Sequence, residues 1–281
     1  MNTNRLKGLP SIVWLYVATL IGMVALALFA NVVGPHDPEA IHLDRRLQPP
    51  FWSPGGSAEF PLGTDSLGRD VLSRIAHGGR VSFVVGTGTV VLAGVVGALL
   101  GLASGYLGDP IDGIVMGVAD AQLSFPFLLL GVLAMALLGP GLLNVIIVLA
   151  LSSWVPFARV MRAQTLSLKE KEFVLAGRAI GCSNGRLVFR HILPNTVSPM
   201  LVIATLELAN AIVVESTLSF LGLGVKPPSP SWGVMLADGR EYIENAWWIA
   251  AMPGFALLLT CISVNGLGDW LRDALDPTLR D

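Results

Sequence analysis

Charge is absent from several long stretches of this chain, and those stretches constrain the fold more than any other feature. A helix that crosses a bilayer needs about 20 apolar residues, because each adds about 1.5 Å and the hydrocarbon core is about 30 Å thick. Residues 12–33 carry no charge, and neither do residues 81–108. Residues 121–158 are also uncharged, too long a run for one helix but right for two. Gly139-Pro140-Gly141 sits near the middle of that run, where a helix has to break and reverse. Residues 196–224 form a fifth apolar run, interrupted by Glu207 and Glu215, and residues 246–268 form a sixth. The pattern predicts an all-α integral membrane protein with six transmembrane helices.

Composition points the same way. Only 14% of the residues are charged, against about 25% in a soluble domain. With 18 basic and 20 acidic residues there is no footprint for a nucleic-acid partner. Cys182 and Cys261 form no C-x-x-C pair and no disulfide framework. His36 and His42, with Asp37, are too few ligands for a metal site, so neither metal nor cofactor is expected.

The basic residues orient the spans. Arg159, Arg162, Lys169, Lys171, Arg178, Arg186 and Arg190 face only Glu170 and Glu172, so this loop carries seven minus two, or +5. Arg5 and Lys7 precede the first span with no acid beside them. The positive-inside rule then places the loop and both termini in the cytoplasm and residues 34–80 outside. Asp109, Asp112 and Asp120 read as a short acid-only cytoplasmic loop. The first apolar stretch exceeds the roughly 7–15 residues of a signal-peptide core, so it is read as a retained anchor. Six prolines make 34–80 an irregular external cap. The expected division is 1–80 for tail, first span and external segment, 81–270 for five further helices, and 271–281 for a cytoplasmic tail. Outside again, residues 225–245 hold Pro227-Pro228, Pro230 and Trp232, and Trp247-Trp248 follow; these tryptophans suit the membrane interface.

The basic loop is the most informative stretch. Residues 172–181 read EFVLAGRAIG, and Leu193-Pro194-Asn195 follows after eleven residues. The pattern predicts a short helix, a Cys-Ser-Asn-Gly turn, a second short helix and a proline stop. Phe173, Gly177 and Ile180 recur at i, i+4 and i+7, an apolar and closely approachable face. Such a helix suits insertion into a partner's groove, and equally a loop lying on the bilayer.

At this point the sequence closely resembles the permease subunits of bacterial ABC importers of the dipeptide, oligopeptide and nickel group. Ala176, Gly177, Arg178, Gly181, Ile192, Leu193, Pro194 and Asn195 fall on that family's EAA loop, a cytoplasmic coupling helix that docks on an ATPase. Leu175 stands at the name-giving glutamate and Gly177 at the second alanine. The stretches Leu62–Asp65, Leu67–Arg74, Ser124–Pro126, Ser219–Gly224, Trp232-Gly233 and Leu271–Pro277 also match, in order. The chain is most similar to the second of the two paired permeases. The resemblance implies a coupling set of Phe173, Val174, Ala176, Gly177, Arg178, Ile180, Gly181 and Pro194 in a loop between the fourth and fifth spans. It also implies a homologous permease partner, two cytoplasmic ATP-binding subunits and an external solute-binding protein, in the bacterial inner membrane. Small peptides are the expected cargo, with nickel or another small solute as the alternative.

Charged groups within a span cost about 2.5–3.5 kcal/mol at its centre. Glu207, Asn210 and Glu215 are therefore candidates for a water-lined pathway, with a structural hydrogen bond as the competing reading. No G-x-x-x-x-G-K-[ST] occurs, so ATP is expected to be hydrolysed on partners and not here. An ion-gradient transporter with Glu207 and Glu215 as relay remains the rival at this stage.

Overall fold

The structure is a computed structural model and describes residues 10–225 and 229–275. Arg5, Lys7, Pro227-Pro228 and the tail from Asp276 onward lie outside the described residues. Helix α1 is Ser11–Leu28, α2 Ala30–Val33, α3 Val71–Leu107, α4 Ile111–Leu123, α5 Phe127–Leu138 and α6 Leu142–Lys169. After these come α7 Glu172–Ala179, α8 Asn184–Leu187, a π-helical turn Val188–Ile192, α9 Leu193–Phe220, α10 Trp232–Gly239 and α11 Trp248–Leu275. Five segments are long and apolar enough to span alone, and α4 with α5 makes a sixth, bent by 90°. All of it is helix or loop among the described residues, with one isolated bridge between Thr64 and Asp70.

Several boundaries differ from the sequence expectation. The second span begins at Val71, ten residues before the uncharged run, because Asp70 caps it: its carboxylate accepts the Ser73 N–H at 2.9 Å. The expected turn at Gly139-Pro140-Gly141 separates α5 from α6. The third span, however, starts at Ile111 and breaks again at Ser124-Phe125-Pro126. Asp112 and Asp120 are not in a loop. They sit on α4, where Arg162 (2.5 Å) and Arg159 (2.6 Å) of α6 pair with them. Nor is Pro194 a stop. The π turn widens the backbone just ahead of this residue, which has no N–H to donate, and the helix runs on into α9.

The longest packing seam joins α3 and α6. Gly97 and Gly101 make it possible: a Cβ on either would stand 2.4 Å from the Trp154 carbonyl oxygen or 2.2 Å from that of Ala158. Small residues four apart let two membrane helices approach at backbone distance, where dispersion and not hydrophobic exclusion holds them. α9 and α11 complete the bundle, with α1 against α11.

Opposite ends of the bundle are built differently. At one end residues 34–70 and α10 form a cap. Asp65 receives Arg69 Nε at 2.6 Å and also pairs with Arg74, and both arginines reach Asp238 on α10, at 3.1 and 3.3 Å. Trp232 and Trp248 are not interfacial anchors. Both are buried and donate their ring N–H groups to the Ile75 and Thr64 carbonyls, each at 3.0 Å. Only Trp247 of the three is exposed. His36 is packed as well, stacked on Phe60 with ring centroids 4.6 Å apart.

Candidate functional site

The other end carries the 172–195 segment, and it is a rigid bracket. Leu168 at the end of α6 and Leu193 at the start of α9 pack against the same cluster that the segment buries. Val174, Leu187 and Ile192 are enclosed there with Leu102 of α3 and Met161 of α6. Gly177 lies over Leu187, so close that a Cβ would stand 2.9 Å from its Cδ2. Tyr106 of α3 donates its hydroxyl to Asn184 Oδ1 at 2.8 Å, and Lys169 Nζ reaches the Gly105 carbonyl at 3.2 Å.

Helix α7 ends in a two-bond glycine cap. The Cys182 N–H donates to the Gly177 carbonyl and the Gly181 N–H to that of Arg178, both at 3.0 Å. Gly181 has φ +81, and nothing lies within 4 Å of the place its Cβ would take. The demand for glycine here is thus conformational and not one of space.

The apolar face of α7 differs from the expected one. Gly177 and Val174 point inward, while Phe173 (44% exposed), Ala176 and Ile180 (83% exposed) form the outer stripe at i, i+3 and i+7. Gly177 serves closeness to Leu187 and does not belong to the outward face. Phe173 leans on His191, ring centroids 6.5 Å apart, and Arg178 stands exposed beside the stripe. Pro194 is exposed in the first turn of α9. The bracket therefore presents an apolar ridge with basic flanks on a base that cannot easily deform.

The three candidate pathway residues separate. Glu207 is half-buried, and exposed Asn210 donates to its Oε2 at 3.4 Å. Glu215 is removed from any water-lined face: it is 0% exposed. Its carboxylate accepts from the hydroxyls of Ser219 (2.7 Å), Ser82 (3.2 Å) and Ser216 (3.4 Å), with Ser231 against it as well. Ser231 is also the N-cap of α10, so the buried acid ties α3, α9 and α10 together. Neither Ser82 nor Ser231 carries a sequence signal for this role; they lie 133 and 16 positions from Glu215. Leu187, which seats Gly177, was equally invisible among the apolar residues of the loop.

Comparison with known proteins bears on this architecture. Residues 97–281 match the family described as the binding-protein-dependent transport system inner membrane component. The chain is 45% identical, over 92% of its length and 86% of the relative's, to the Di/tripeptide transport system permease protein DppC of Pseudomonas aeruginosa. It is 41% identical to the Dipeptide transport system permease protein DppC of Alkalihalophilus pseudofirmus, covering 98% of this chain and 88% of that one. The Escherichia coli protein of that name is 42% identical over 91% of this chain and 85% of its own. Among solved structures, two inward-facing crystal forms of the MetNI methionine ABC transporter share the fold. Their TM-scores are 0.51 and 0.55 at 20% identity, over 69% and 73% of this chain and 94% of theirs. With a bent six-span bundle and a bracketed loop, and with the family profile covering its larger part, the chain belongs to the inner membrane components of binding-protein-dependent transport systems.

Proposed function

We propose that this chain is one permease half of an ATP-driven importer that moves small peptides across the bacterial cytoplasmic membrane. The observation that carries the proposal is the α7 ridge: Phe173, Ala176 and Ile180 are left exposed on a helix whose other face is locked into the bundle. An apolar ridge on a rigid base is what a groove-docking helix needs, because little ordering cost remains to be met on binding. The occupant of that role is an ATPase subunit in the cytoplasm. Two such subunits, a homologous permease and an external solute-binding protein complete the assembly, and this chain catalyses nothing itself. Both termini are cytoplasmic and the 34–70 cap is external. Peptide cargo follows from the names of the relatives; nickel or another small solute is the alternative within the same class.

ATP closure moving the loop ends as a unit is a two-state rearrangement that the stiff bracket would transmit to α6 and α9. The ion-gradient reading is not favoured, because Glu215 is fully buried and held by serine hydroxyls, whereas Glu207 is half-buried beside Asn210.

The test is uptake of labelled dipeptide into vesicles holding the assembled system, with ATP and no ion gradient. Uptake is expected there and none from this chain alone. Transport by the chain alone, or strict dependence on a proton or sodium gradient, refutes the proposal. In the same vesicles single cysteines in place of Ala58 and Arg186 should label from opposite sides.

A further inference from the structure

The bent span holds a feature that the docking ridge does not explain. Between α4 and α5 the chain leaves the helix at Ser124-Phe125-Pro126, and Leu123 through Pro126 are all exposed on the molecule's surface. The contacts of α4 with α6 put this break deep in the bilayer. Gln122 donates to the Ser152 carbonyl at 3.0 Å and accepts from the Trp154 ring N–H at 2.8 Å. Ser152 is ten residues into α6, about 15 Å from its start. Against a hydrocarbon core of about 30 Å, this places the break near the midplane.

Backbone polar groups are left over there. Among the described residues the Ser124 and Phe125 carbonyls accept no backbone bond, and the Phe127 and Leu128 N–H groups find no acceptor. Lipid cannot satisfy such groups, so irregular backbone at this depth stands only against protein or water. Polar chemistry continues from the break toward the loop end. The Ser124 hydroxyl donates to the Asp120 carbonyl at 2.9 Å. One turn further on, a cavity of about 420 Å³ is lined by Asp120, Arg159, Arg162 and Met116.

We infer that the Ser124–Pro126 break forms part of the wall of the aqueous translocation pathway, offering the Ser124 hydroxyl and two free carbonyls to the main chain of a passing peptide. This rests on the permease reading above. The path is assigned to α4–α5 and the α6 arginines, a different element from the acid-bearing α9.

Thiol accessibility tests it. In the assembled importer, with Cys182 and Cys261 replaced by alanine, Ser124→Cys is compared with Leu133→Cys on α5, an exposed apolar position. A charged, membrane-impermeant methanethiosulfonate should modify position 124 more than tenfold faster than position 133. Trapping the ATPases with ATP and vanadate should change the rate at 124 and leave that at 133 unaltered. Phe125→Cys serves as the second probe should the first fail to assemble. If uptake is normal while both break positions react as slowly as 133, the break is packed against protein and the inference is wrong. Loss of ATP-driven uptake in the cysteine-free parent would instead strike the permease reading.

Discussion

The cap and the bracket close opposite ends of one bundle by opposite means. The cap is held by direction-dependent bonds: Asp65 against two arginines, Asp238 reaching back from α10, and two tryptophan N–H groups on main-chain carbonyls. The bracket is held by shape, with Val174, Leu187 and Ile192 fitted against Leu102 and Met161. The cap pairs its buried charges with one another, whereas the bracket leaves an apolar ridge uncovered. A region that keeps its bonds to itself behaves as a fixed plate, and one that leaves a surface open has room for the ATPase proposed above. Directional networks also fail abruptly when one member goes, while apolar clusters fail by degrees.

That contrast can be broken most forcefully at the cap. Asp65→Ala takes the closer carboxylate from Arg74, a guanidinium only 2% exposed, and leaves it Asp238 at 3.3 Å. Removing one partner of a buried pair costs about 3–5 kcal/mol. The expected result is a large fall in the melting temperature of the detergent-purified protein; an unchanged melt would mean the cap network is dispensable. At the bracket, Gly181→Val forces a branched side chain into φ +81, a penalty of about 1–2 kcal/mol. Gly181→Asn, which tolerates that region, should stay near wild type, and equal loss from both would show that space and not conformation governs the site.

Smaller effects on stability come with sharper functional ones. Phe173→Ala and Ile180→Ser remove exposed groups, so melting should move by no more than about 0.5 kcal/mol. Co-purification of the ATPase should nevertheless weaken about tenfold, or ~1.4 kcal/mol, if the ridge is a docking hot spot. Full retention of association and of substrate-stimulated hydrolysis would remove the ridge from the coupling path. The mildest change is Glu207→Gln, which keeps the Asn210 contact geometry. It should leave assembly intact and alter uptake kinetics a few-fold, and identical kinetics would make Glu207 a neutral surface group.

The sequence disclosed most of this where a local rule had no competitor. Gly139-Pro140-Gly141 cannot be helical, and so the reversal between α5 and α6 was readable. Pro126 was not, because Pro156, Pro199 and Pro253 all lie inside continuous helices and a lone proline in an apolar run settles nothing. Gly181 was legible as a helix end because only backbone conformation is at issue there. The inward turn of Gly177 depends on where Leu187 arrives in space, and periodicity alone placed it on the wrong face. The cap network joins Asp65 to Asp238, 173 positions apart, a separation at which no pattern within one segment can speak. Glu215 shows the limit for charge: its cost inside a span was evident, but the four serines that meet it come from three different stretches.

The π turn at Val188–Ile192 has a consequence for phase. Such a turn is equivalent to one residue inserted into an α-helix, and each residue of an α-helix accounts for 100° of rotation. From Asn184 to Phe220 the chain forms one continuous 37-residue rod, with the extra residue near its bracket end. The azimuth of everything bolted to that end is therefore set independently of the azimuth that α9 needs inside the bilayer. Excising a single residue from the turn would put α8 and α9 about 100° out of phase, so that the bracket's seat on α3 and α6 or the seat of α9 in the bundle would have to give.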